Sequence, residues 1–208
     1  MGLFSFFKKK QTESSTFMME NDYCQVEIIP TSNYWLVLRQ AKQADDFARK
    51  HFYGTGFTPL HQREKIYDAT SHLNIKIEEF ENVLNEHGFS RIKKIFYVGG
   101  NWIDYKKGIT RAYGNTLFSF WAEVRNQIVQ ELWITAIGEN SDERIAQVSS
   151  ILQSLNKKYN LIIADWNACE IIRLGSIEEM NRYLRKYYQS SASPTSFLPS
   201  STLANSAR

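Results

Sequence analysis

Apolar and polar residues alternate most regularly between residues 116 and 137. The alternation covers residues 118–124, stops at Arg125-Asn126-Gln127, and resumes over residues 128–136. A period of two residues is typical of β-strands, because successive side chains point to opposite faces. The pattern therefore predicts a hairpin of two long strands, with its turn at residues 125–127.

A second hairpin is predicted nearer the C-terminus. Residues 161–166 and 169–174 are both rich in isoleucine and other apolar residues, and Asn167-Ala168 separates them. This placement puts Cys169 inside a strand, where a cysteine behaves as a small buried hydrophobe. Two single strands are predicted at residues 23–29 and 91–98, ahead of Pro30 and of Gly99-Gly100 respectively.

Helical spacing, with apolar residues three and four positions apart, occurs in four places. The first helix is predicted from Thr31 or Ser32 to about Phe52, and the second over residues 77–84. In the first helix, the apolar residues with this spacing are Trp35, Leu38, Ala41, Ala44, Phe47 and Ala48. The last two helices begin at capping boxes, Asn140 with Glu143 and Ser176 with Glu179, and end near Lys158 and Tyr188.

The order of these elements predicts the fold class. The strands come in hairpins and are not separated one by one by helices, which favours an α+β fold over a doubly wound parallel sheet. We expect one mainly antiparallel sheet with helices packed on one face. The predicted domain spans residues 21–188, between a mobile N-terminal segment (residues 1–20) and a disordered Ser/Pro-rich tail (residues 189–208).

Composition excludes several classes of protein. Hydrophobic residues make up 43% of the 208 residues, which is too many for a wholly disordered chain. No apolar run approaches the roughly 18 residues of a membrane-spanning helix. Two cysteines are too few for a disulfide scaffold and suit a reducing compartment, so a cytoplasmic location is expected. The net charge of +3 does not by itself imply a nucleic-acid partner.

The sequence lacks the common signatures of catalysis and cofactor binding. It has no Gly-rich phosphate loop, no GxSxG elbow, no HExxH helix and no CxxC pair. We therefore predict no catalytic residues, no metal and no cofactor, and a chain that is not an enzyme. The alternative is an enzyme with a non-standard site around His61, His72 and Asp165, in which the two histidines converge with Glu64 or Asp68 as a metal or acid/base cluster.

Residues 91–113 combine basic and aromatic side chains with a single acid, Asp104. Such a segment is typical of a protein–protein interface, of single-stranded nucleic-acid binding, or of a solvated strand edge that lysines protect from aggregation. Trp166 adds an indole at the tip of the second hairpin. The candidate partner-binding residues are Trp102, Asp104, Tyr105, Lys106, Lys107, Arg111 and Trp166.

The ending LIIADWNACEIIRLGSIEEMNRYLRKYY, residues 161–188, resembles that of small bacterial cytosolic immunity-type proteins, the antidotes of secreted polymorphic toxins. The opening MGLFSFFKKK is similar to the start of many bacterial cytosolic proteins. The resemblance implies a hairpin with an Asp-Trp tip, a closing helix, and a protein partner. Residues 21–188 carry 21 basic and 20 acidic side chains, so the implied toxin is neutral or acidic. Nucleic acid is the alternative partner.

Overall fold

A computed structural model of the chain describes residues 15–18, 23–51, 68–97, 102–104, 109–115, 117–136 and 141–191. For residues 17, 96, 97, 102–104 and 188–191 the description is limited to the backbone. Nine strands lie in these ranges: β1 Ser15–Met18, β2 Val26–Pro30, β3 Lys94–Tyr97, β4 Trp102–Asp104, β5 Thr110–Gly114, β6 Phe118–Arg125, β7 Ile128–Ala136, β8 Leu161–Asp165 and β9 Glu170–Arg173. The helices in the same ranges are α1 Tyr34–His51, α2 Ile77–Glu86, α3 Asp142–Tyr159 and α4 Ile177–Ser191.

The main sheet has six antiparallel strands in the order β5-β6-β7-β2-β8-β9. Both predicted hairpins are present, as β6-β7 and β8-β9, and β2 joins them by pairing with β7 and β8. The turn of the longer hairpin is Asn126-Gln127, and both residues adopt positive φ angles. That conformation matches the twist of the flanking strands, as in a type I′ turn. The predicted α+β class is therefore confirmed.

One face of the six-stranded sheet carries the main core. The alternation in β6 places Phe118, Phe120 and Ala122 on this face, where all three are buried. Helix α2 contributes Phe80, and α3 contributes a stripe that includes Leu152, both fully buried. Helix α4 completes the layer with Met180, Tyr183 and Leu184. Three helices thus lie on the single face that the sequence predicts.

The opposite face of the sheet is also covered, and the first helix lies there. Val37 of α1 packs with Ile29 and Ile162, which point away from the main core. Elsewhere on this face, Trp121 and Trp133 stack at 5.9 Å and are fully buried. The prediction of helices on one face therefore holds for α2, α3 and α4, while α1 packs on the other. The central strands are consequently buried on both sides.

A second sheet of three strands has the order β1-β3-β4. Strand β1 runs parallel to β3, with Ser15 opposite Lys94, and β3 runs antiparallel to β4. Thr16 of β1 is buried, and its hydroxyl lies 3.3 Å from the Ser119 hydroxyl on β6. Residues 15–18 were expected to belong to a mobile segment, but they form a strand that contacts the main sheet. The folded part therefore begins before residue 21.

The helix ends agree with the predicted caps in part. Glu179 N donates to Ser176 Oγ at 3.2 Å, which is one half of the predicted capping box of α4, while the Glu179 carboxylate accepts from Arg173 N at 3.3 Å. At α3 the capping side chain is Ser141, whose Oγ accepts from Arg144 N at 3.2 Å. The predicted cap Asn140 lies outside the described residues. Helix α4 extends to Ser191, three residues past the predicted end at Tyr188. Within the described ranges, no helix is both long and apolar enough to cross a bilayer.

Candidate functional site

The candidate residues of segment 91–113 lie near the edge of the three-stranded sheet. Trp102 and Asp104 are on β4, an outer strand, where their backbones pair with Phe96 and Lys94 respectively. Tyr105, Lys106 and Lys107 lie outside the described residues. The edge position is compatible with each of the three interpretations of the segment, so its role in binding stays a prediction.

Arg111 lies on β5, where it forms an ion pair inside the fold. Its Nη1 donates to Glu81 Oε1 on α2 at 3.1 Å, and its side chain is only 18% exposed. The Tyr113 hydroxyl donates to the same carboxylate oxygen at 2.7 Å. Burial and the Glu81 carboxylate both raise the pKa of Tyr113, so the phenol stays protonated as a donor. Arg111 therefore joins β5 to α2 and offers little surface to a partner.

Trp166, predicted at an exposed hairpin tip, is buried. Only 9% of it is exposed, and it packs with Val37 of α1 and with Ala164. Its Nε1 donates to Glu27 Oε2 at 2.9 Å, which satisfies the polar atom of the indole. The apolar area of an indole favours burial when its N–H has an acceptor. Trp166 is therefore a core residue beneath α1.

Asp165, a candidate acid or base in the alternative hypothesis, is a buried structural carboxylate. Its Oδ1 accepts from Ala168 N at 2.9 Å, and its Oδ2 accepts from the Tyr183 hydroxyl at 2.8 Å. Burial raises the pKa of Asp165, and these hydrogen bonds partly oppose the rise. The side chain fastens the β8-β9 turn to α4, and at 3% exposure it is closed to a substrate.

His72, the described member of the predicted histidine pair, contacts Asp68. Its Nδ1 lies 3.1 Å from Asp68 Oδ1, and Ser32 Oγ donates to the other oxygen of the same carboxylate. Hydrolytic triads place the histidine between serine and acid, so that the imidazole takes the serine proton. Here the acid lies between the other two, and no such transfer is available. His61 and Glu64 lie outside the described residues.

The Ser32–Asp68 contact is part of an anchor at the start of α1. Asn33 Nδ2 donates to Asp68 O at 2.7 Å, and Asp68 N donates back to Asn33 Oδ1 at 3.1 Å. The hydrogen bonds from Ser32 and His72 lower the pKa of Asp68, so this acceptor is ionised at neutral pH. These contacts fix the short turn that leads into α1 against the segment that precedes α2.

Both thiols are unsuited to nucleophilic chemistry. Burial raises the pKa of Cys169 to about 11 and raises the pKa of Cys24 further. A thiol with a raised pKa is almost entirely protonated at neutral pH, and the thiolate is the reactive form. Cys169 also lies in the turn before β9, half-buried with a positive φ angle, rather than inside a strand as predicted.

A group of acids that the sequence does not single out lies on β6 and β7. Glu123 and Glu131 face each other across the hairpin, and the Tyr23 hydroxyl contacts both, lying 2.9 Å from Glu123 Oε2. Arg125 Nη2 lies 2.9 Å from the other oxygen of Glu123 and offsets part of the repulsion. Tyr23 also packs edge-on against Trp133. Among the described residues, no group of three or more His, Cys, Asp or Glu is arranged to hold a metal ion.

Among the described residues, the most exposed large apolar side chain lies on α1. Trp35 is 76% exposed and Leu38 is 40% exposed, although the helical spacing groups them with the buried Ala41. The buried positions of α1 are Val37, Gln40 and Ala41. The apolar spacing therefore predicts the helix correctly but does not mark the side that packs on the sheet. We define the α1 outer face as Trp35, Leu38, Arg39 and Lys42, all of them exposed.

Comparisons with protein-family models, with curated proteins and with solved structures find no match to this chain.

Proposed function

We propose that this chain is a non-enzymatic protein-binding domain. The observation that supports the proposal is the exposure of Trp35, at 76%, in a domain that buries Trp121, Trp133 and Trp166. Tryptophan is among the residues that most often dominate binding energy at protein interfaces. Leaving an indole in water forgoes the stabilisation that its burial would give, so an exposed indole suits a surface that a partner covers.

The polar groups of the fold favour binding over catalysis. Asp165 is used by the β8-β9 turn and by Tyr183, and Arg111 is used by Glu81. The thiol pKa values are raised, which is the reverse of what a nucleophile needs. Asp165 and Arg111 are thus engaged in contacts that join elements of the fold, and both thiols are protonated at neutral pH.

We further propose that the bound protein is a toxin which this chain neutralises. The resemblance of residues 161–188 to immunity-type proteins implies a hairpin and a closing helix, and β8, β9 and α4 have that arrangement. The hydrogen bond from Tyr183 to Asp165 joins the helix to the hairpin. An antidote needs a stable domain and a complementary surface, and it needs no catalytic group.

Growth rescue tests this proposal. The gene adjacent to this chain's own gene is expressed from an inducible promoter, alone and together with this chain. The proposal predicts growth arrest that this chain relieves, and co-elution of the two purified proteins in a 1:1 complex. Persistent arrest, the absence of a toxin-like adjacent gene, or separate elution would each contradict it.

The second candidate function is binding of single-stranded nucleic acid by residues 91–113. The exposed Lys93 and Lys94, at the start of β3, favour it, while the ion pair of Arg111 with Glu81 removes one cation from the segment. Fluorescence anisotropy with a labelled single-stranded oligonucleotide at low salt tests this alternative. It requires binding that weakens with salt and with charge reversal of Lys106 and Lys107.

A further inference from the structure

We draw no further inference here: the strongest candidate, the α1 outer face around the exposed Trp35, already supports the proposed protein-binding function, and nothing in the described part of the structure shows what covers it.

Discussion

The variant Gly114→Ala tests the described packing of the end of β5 against Phe89 and against the backbone of Phe118. Gly114 ends β5 with a φ angle of +115°, and its N–H donates to Ser90 O at 3.0 Å. A Cβ at this position would lie 2.4 Å from Phe118 O and 2.8 Å from Cδ1 of Phe89. Phe118 O belongs to the backbone and Phe89 is fully buried, so neither can move without cost.

Two costs add up in this variant. The φ angle lies in a region that L-residues rarely adopt, and holding alanine there costs about 1–3 kcal/mol. Forcing a methyl group into a filled space costs about a further 1–3 kcal/mol. We therefore expect the free energy of unfolding to fall by about 2–6 kcal/mol, a large part of the 5–15 kcal/mol typical of a domain.

Urea unfolding followed by tryptophan fluorescence measures this loss, because Trp121 and Trp133 are buried in the fold. Gly175→Ala is the matched control, since its Cβ would meet only Asn156 Nδ2, at an ordinary 3.9 Å. The control should stay within about 0.5 kcal/mol of the unmodified chain. If Gly114→Ala unfolds at the same urea concentration as the control, the described close contact between Gly114 and the Phe89 ring is wrong.

Three further outcomes follow from individual contacts. Burial raises the pKa of Asp165 in the folded state. The protonated carboxyl group therefore stabilises the fold fully below the unfolded-state pKa of about 3.9, and this stabilisation is lost as the pH rises through the folded-state pKa. Urea unfolding at pH 4 and pH 7 should therefore show the unmodified chain gaining stability relative to Asp165→Asn at the lower pH, and an unchanged difference would contradict the assignment. Tyr183→Phe removes a buried donor to that carboxylate and should cost about 1.5–3 kcal/mol in the same assay at pH 7, whereas a neutral effect would mean that the bond contributes nothing. Because the pKa of Cys169 is about 11, iodoacetamide should label it at pH 8 at least tenfold more slowly than free cysteine, measured by mass spectrometry, and equal rates would refute the raised pKa.

The two hairpins and the helices could be predicted from the sequence because their signals are local. Alternation in β6 and β7, and the Ser176–Glu179 cap, need no knowledge of distant residues. Strand β1 gives no comparable signal, since a parallel pairing of residue 15 with residue 94 depends on how the chain returns in space. Its assignment to a mobile segment failed for that reason.

The side of α1 that packs on the sheet does not follow from the apolar spacing, because the helix has apolar residues on both sides. The spacing of Trp35, Leu38 and Ala41 fits one stripe, but the sheet contacts the side that carries Val37 and the polar Gln40. Trp166, in contrast to Trp35, is buried although it lies at a turn, and Glu27 accepts the hydrogen bond from its indole N–H.

The contacts that decide the roles of the candidate site residues are distant in sequence. Asp165 meets Tyr183 at a separation of 18 residues, Arg111 meets Glu81 at 30, and Tyr23 meets Glu131 at 108. No spacing rule for a helix or a strand covers such distances. The sequence therefore identifies residues capable of chemistry, and only the fold reveals that these are engaged with one another.

The central claim is that this domain binds a protein that covers the exposed Trp35 on α1. Hydrogen–deuterium exchange of this chain, free and in complex with the product of the adjacent gene, tests it most directly. We predict slower exchange in peptides from Tyr34–His51 on complex formation, with Ile177–Ser191 unchanged. Protection confined to residues 91–113, or no protection in any peptide, would contradict the claim.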